Sequence, residues 1–230
     1  MEIIDVAVIG GGQSGLAAAH ALRRQRLVPV VLEASGRAAG SWPHYYDSLT
    51  LFSPARYSAL PGMPFRGNPD RYPRRDEVVD YLLGYAAALD ADIRTGARVV
   101  EVREAGGAYE ITLDGGGRLA ARAVVAATGS SGHPHRPELP GLAGFEGELL
   151  HAAEYATPGP FAGRRAVVVG AGNSAAQIAA ELAERSRVHR APAPGLPGAR
   201  MAAQPLLQLA ARCRARRGSG RPPPRPRTRT

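Results

Sequence analysis

The chain contains no lysine and only one cysteine, Cys213, so neither an internal disulfide nor a Cys-x-x-Cys redox pair can form. It has no apolar run near the roughly 20 residues that a spanning helix needs, which predicts a soluble protein. It opens without a basic segment or a small-residue cleavage site, so no signal peptide is expected and the predicted setting is cytoplasmic. Metal-ligand clusters are missing too. His133 and His135 stand beside Pro134 and Pro137 with no cysteine or carboxylate group to complete a site, and they read as surface loop.

The formal charge of +9 suggests nucleic acid until it is located on the chain. All 29 basic residues are arginine, and 12 of them fall from Arg185 onward, where there is no acid; the remaining 17 face all 20 acids, a net of −3. The folded part is therefore mildly acidic, and nucleic acid is not expected as a partner. Residues 189–230, rich in arginine and proline, have the composition of a chain that cannot bury enough apolar surface to order itself. A short apolar patch at residues 205–211 reads as a helical turn or two. Three readings of this tail stand open: an electrostatic binder, a solvated extension, or a shifted reading frame beginning where a strand should follow a helix.

Two glycine-rich turns are what the chain does have. Gly10-Gly11-Gly12-Gln13-Ser14-Gly15 follows an apolar run at residues 3–9, and Gly170-Ala171-Gly172-Asn173-Ser174-Ala175 follows another at residues 166–169. Each precedes a helix-compatible stretch. A pyrophosphate can approach backbone N–H groups and a helix N-terminus only where no Cβ intervenes, so the pattern predicts paired dinucleotide sites on an α/β fold. A second apolar strand at residues 28–32 ends in Glu33, placed to accept hydrogen bonds from a ribose 2′-hydroxyl. That carboxylate would repel a 2′-phosphate by about 1 kcal/mol at 4 Å in water and by more in a drier site. The first site is thus expected to hold FAD or NAD. The second has Ala175 as its third small residue and no carboxylate ending a later strand, so a 2′-phosphate is not excluded; Arg187 and Arg190 are candidate partners for one.

Between the fingerprints, residues 35–73 predict long ordered loops over a ligand, and residues 76–89 a helix with Val78, Val79, Leu82, Leu83 and Ala86 on its apolar face. Residues 97–102, 109–113 and 118–120 read as an antiparallel meander, and residues 123–127 as a separate buried strand closed by Thr128-Gly129.

Glu33 with Gly40-Ser41-Trp42, the Ala127-Thr128-Gly129 turn, and the spacing Phe145-x-Gly147-x-x-x-His151-x-x-x-Tyr155 together resemble the class B flavin-dependent monooxygenases, the N-hydroxylating, S-oxygenating and Baeyer–Villiger group. The resemblance runs to about Arg185. It implies a two-dinucleotide, Rossmann-like flavoprotein: an FAD domain over residues 1–160 with a β-meander insert, and an incomplete NADPH domain over residues 161–188, in a truncated or frame-shifted chain. It implies FAD at Gly10, Gly12, Gln13, Ser14, Gly15, Glu33, Gly40, Ser41, Trp42, Thr128 and Gly129, and NADPH at Gly170, Gly172, Asn173, Ser174 and Ala175. His151 is the one candidate for a catalytic role. The implied activity inserts one atom of O2 into a small molecule through a C4a-hydroperoxyflavin. Phe52 stands where the N- and S-oxygenating members carry an asparagine. A homo-oligomer could repair the missing parts. The rivals are a flavoprotein reductase without oxygenation and a non-catalytic flavin-binding remnant.

Overall fold

A strand flanked by parallel neighbours is buried on both faces, and the first apolar run behaves so at Val6, Ala7 and Val8. In the computed structural model β1 (Glu2–Ile9) lies between β2 (Pro29–Leu32), all four residues of which are buried, and β6 (Arg118–Ala126), parallel to both. The structure describes residues 2–130, 132, 134–137 and 141–191. They fall in two compact units, Met1–Thr157 and Pro158–Thr230.

The first unit is built on a six-stranded sheet in the order β3-β2-β1-β6-β5-β4, with β3 (Asp92–Arg94) parallel to β2 and the pairs β4 (Val99–Ala105) with β5 (Ala108–Leu113) and β5 with β6 antiparallel. Gly106 and Gly107, both at positive φ, close the β4–β5 hairpin in two residues. Helix α1 (Gln13–Arg24) and helix α2 (Arg75–Ala88) cover one face, where Val8, Leu16, Val31, Val78, Leu82 and Tyr85 form a buried cluster. Full burial of a side chain such as Leu16 stabilises by roughly 1.5–3 kcal/mol. A second cluster joins Ile4, Ala7, Val30 and Leu32 to Ile111 and Leu119.

One expectation is corrected here and one element is added. Residues 118–120 and 123–127 do not make separate elements: β6 is one strand, and Ala121 pairs with Ile4 on one side and Tyr109 on the other. The polar Arg122 within the strand is exposed and pairs with Asp5. Three-residue β3 escaped the sequence reading because Asp92 and Arg94 give it no apolar pattern.

The loop over residues 35–73 holds two short 3-10 turns, Trp42–His44 and Ala55–Tyr57. It is tied down by helix α2: the Tyr81 hydroxyl donates to the Met63 carbonyl (2.6 Å) and accepts from the Leu60 N–H (2.7 Å), and the Tyr85 hydroxyl donates to the Pro61 carbonyl (2.8 Å). Burial raises both phenol pKa values.

The second unit contains β7 (Arg165–Val169), α3 (Asn173–Leu182) and β8 (Arg187–Ala191), with β7 and β8 parallel. A strand therefore does follow the second helix and runs to Ala191, past residue 188 where the unordered tail was expected to begin. Its exposed Arg187, His189 and Arg190 hide the strand from an apolar count, while its pairing to β7 is carried by the backbone. Cys213 and the patch at residues 205–211 lie outside the described residues, as does His133; His135 is exposed. Among the described residues no helix is long and apolar enough to cross a membrane, and no group of three or more metal-ligating side chains occurs.

Candidate functional site

The carboxyl ends of β1 and β2, at Ile9 and Leu32, and Ala127 directly after β6 open on a cavity of about 1010 Å³ in the first unit. That is the end of a parallel sheet where ligands of such folds bind. The turn after β1 is compressed to reach it. A Cβ on Gly10, whose φ is +109°, would stand 2.3 Å from the Ala127 carbonyl oxygen, and a Cβ on Gly15 would stand 1.8 Å from the Gly10 carbonyl oxygen. The helix is thereby pulled against its own entry turn, and Gly12, Gln13 and Ser14 line the cavity. Gly12 caps α1 with no side-chain hydrogen bond, and the first turn carries no acid, so the positive helix end is left for an anion. A Cβ on Gly40 would come within 2.8 Å of the Gly12 Cα, so this second glycine lets the loop pass over the turn.

Among the described residues Glu33 is the one buried charged side chain, 5% exposed. Its Oε2 accepts from the Gly11 N–H (2.5 Å), and its Oε1 accepts from the Ser35 N–H (2.8 Å) and hydroxyl (2.7 Å). The carboxylate is thus held rigid at the cavity edge by three donors, with acceptor capacity left over. Ala97 and Arg98 lie beside it because the Ala97 N–H donates to the Glu33 carbonyl (2.8 Å). Sequence reasoning missed these two, whose approach depends on a contact 64 positions away; Ser35, two residues after Glu33, was legible as a side chain able to turn back.

Ser41, Trp42, His44 and Tyr45 form a further wall, with Trp42 and Tyr45 edge to face at 5.4 Å. Thr128 and Gly129 close the cavity next to β6. Ten of the eleven residues assigned to FAD thus border one space, and Gly15 lies beneath it.

His151 does not line this space, although Ala153 does. Its Nδ1 accepts from the Ala153 N–H (3.1 Å), and its own N–H donates to Glu154 Oε2 (2.5 Å). Glu154 is also ion-paired with Arg136. The His151 N–H and, after it, Arg136 hold the Glu154 carboxyl below the ordinary carboxylate range. Tyr155 is buried against Tyr46 with ring centroids 6.1 Å apart. The spacing that singled out His151 therefore encodes a tied turn. Phe52 is 75% exposed and does not line the cavity.

The second unit repeats the turn. The Gly170 N–H donates to the Ala191 carbonyl (3.0 Å) as the Gly10 N–H donates to Leu32 (2.8 Å), and Gly172 caps α3 without a side-chain bond. Here the third small residue is Ala175, whose methyl occupies the position that backbone closes to a side chain at Gly15; a Cβ on Gly170, whose φ is +147°, would stand 3.1 Å from it. Asn173 and Ser174 open the helix. Arg190 Nε donates to the Gly170 carbonyl (3.3 Å), which places this cation at the fingerprint.

The family described as pyridine nucleotide-disulphide oxidoreductase matches residues 7–204. The flavin-containing monooxygenase from Stenotrophomonas maltophilia superposes with a TM-score of 0.82 at 39% identity, covering 93% of this chain and 68% of that one. Indole-3-pyruvate monooxygenase YUCCA1 of Oryza sativa subsp. japonica is 41% identical over 76% of this chain and 44% of its own length. An uncharacterised CzcO-like oxidoreductase of Geobacillus kaustophilus is 35% identical over 82% of this chain and 54% of its own. The chain thus spans about half the length of the curated relatives it matches.

Proposed function

Because the chain belongs to the pyridine nucleotide-disulphide oxidoreductase family, and within it to the flavin monooxygenases, we propose that its first unit holds FAD, its second NADPH, and that the protein serves an O2-dependent monooxygenation of a small molecule. The observation carrying this is the pairing of an uncapped α1 N-terminus with the buried Glu33 on one cavity. FAD, when bound, supplies hydride acceptance from NADPH and the activation of O2. This chain's residues bind and orient. The Gly12, Gln13 and Ser14 backbone receives the pyrophosphate, and Glu33 accepts from the ribose hydroxyls. The Trp42–Tyr45 wall keeps water from the ring system, and Thr128-Gly129 borders it. The Gly170–Ala175 turn receives the NADPH pyrophosphate, with Arg190 supporting its 2′-phosphate. His151 is given a positioning part through the turn it makes with Glu154.

The proposal includes a cytoplasmic setting and a homo-oligomer, the latter supported by the apolar Val167 and Val169, exposed on β7. Purified full-length chain is incubated with FAD, desalted and supplied with NADPH. Retained flavin absorbance and NADPH oxidation that requires O2 support the reading. Oxidation at the same rate without O2, coupled to a dye or quinone, would establish the reductase instead, and a colourless protein would refute the flavin site.

A further inference from the structure

We infer that Arg75, at the start of helix α2, is a positioning residue for the cavity wall formed by residues 41–45. The inference rests on the FAD reading for its ligand, but its geometry stands alone. The wall segment, residues 41–45, has only the three-residue 3-10 turn Trp42–His44 as regular structure, so contacts from outside it fix where Trp42 and Tyr45 stand. Arg75 does this with a fork. Its Nη1 donates to the Tyr45 carbonyl (2.7 Å) and to Asp47 Oδ1 (2.7 Å), and its Nε donates to Asp76 Oδ1 (2.8 Å). Its backbone N–H also donates to the Leu49 carbonyl (2.8 Å). The side chain is only 15% exposed, while Asp47 and Asp76 are mostly exposed, so the guanidinium sits inside the loop with its partners at the rim.

A planar, permanently charged donor can hold a carbonyl and a carboxylate at fixed angles, which a lysine ammonium cannot do equally well. The consequence reaches the cavity in one step. The Tyr45 carbonyl is gripped by Arg75, and the Tyr45 ring meets Trp42 edge to face at 5.4 Å, both residues lining the cavity. Releasing the carbonyl frees the turn to move away from the ligand.

Trp42 is the chain's single tryptophan, so its emission reports this wall alone. Trp42 anisotropy without ligand and FAD affinity by fluorescence quenching are measured for the full-length chain and for Arg75→Met, Arg75→Lys, Asp76→Asn and Ile111→Val. Ile111→Val weakens the core away from the wall and calibrates plain loss of stability. The expected result is lower Trp42 anisotropy in Arg75→Met, an FAD Kd raised about tenfold, partial recovery in Arg75→Lys, and wild-type values in Asp76→Asn. Wild-type anisotropy in Arg75→Met, or a change no larger than that of Ile111→Val at matched melting temperature, overturns the inference. If wild-type protein shows no quenching by FAD, the flavin reading falls, and the ligand-free anisotropies still decide the role of Arg75.

Discussion

Replacing Gly15 by alanine sets two effects of opposite sign against each other. Alanine is the better helix former by about 1 kcal/mol, so propensity alone makes Gly15→Ala stabilising. The structure gives the contrary sign. The new Cβ would lie 1.8 Å from the Gly10 carbonyl oxygen and 3.0 Å from its carbon, and the obstacle is backbone that cannot rotate aside. To restore contact near 3.4 Å the start of α1 must withdraw by about 1.5 Å. Such overpacking costs roughly 1–3 kcal/mol, which outweighs the propensity gain over most of that range. Withdrawal also takes the N–H groups of Gln13 and Ser14 from the pyrophosphate. Loss of one charge-assisted hydrogen bond, about 1.5–3 kcal/mol, corresponds to a Kd raised roughly 10–100-fold. Thermal melts and FAD titrations of Gly15→Ala beside Ala175→Gly test this, since the second turn has no such overlap. A Gly15→Ala protein that melts no lower than wild type and binds FAD equally well would refute the reasoning.

Glu33→Gln replaces one accepting oxygen by an N–H2 group that must face the Gly11 N–H or the Ser35 donors; a loss of about 1–3 kcal/mol in stability is expected by denaturant titration, with weaker FAD binding. Tyr81→Phe strips the Leu60 N–H of its acceptor and the Met63 carbonyl of its donor, and the same titration should show about 1–3 kcal/mol lost. Because the Glu154 carboxyl is held below its ordinary value of 4.5, its stabilising contribution is complete above that pH and disappears as pH falls through the depressed value. Melting temperatures of wild type and Glu154→Gln followed from pH 7 downward should therefore differ at neutral pH and converge in acid; curves that stay parallel would count against the turn at His151.

What could be read from the residues and what could not divide along sequence distance. The strand–turn–helix over residues 3–24 follows from a local pattern, because the turn's glycines and the flanking apolar runs are contiguous. Helix α2 was legible within one residue at each end for the same reason, its buried Val78, Val79 and Leu82 recurring at helical spacing. The continuity of β6 was not, since it depends on Ala121 being paired with residues 117 positions before it and 12 before it. Nor was the cavity wall at Ala97 and Arg98, brought to Glu33 by a backbone bond. For His151 the spacing marked a turn, while the partners of its ring lay in backbone that the spacing does not describe. Its ring accepts from a backbone N–H two residues on, and the cavity is bordered by Ala153 instead.

The two fingerprints show why one motif need not mean one geometry. In both, the first glycine's N–H is bound by the carbonyl ending the neighbouring strand, so turn and sheet are joined alike. They part at the third small residue. Gly15 is compelled because a Cβ there would stand 1.8 Å from the Gly10 carbonyl oxygen, whereas the second turn carries the Ala175 methyl at the same position. The first turn therefore demands glycine at its third small position, and the second admits a methyl. They part again at the acid: Glu33 follows β2, while in sequence Pro192 follows β8. A tight turn with a fixed carboxylate excludes a 2′-phosphate; a turn with Arg190 on its first carbonyl does not. The division of labour proposed for the two cofactors thus rests on differences in backbone clearance and charge that are internal to this one chain.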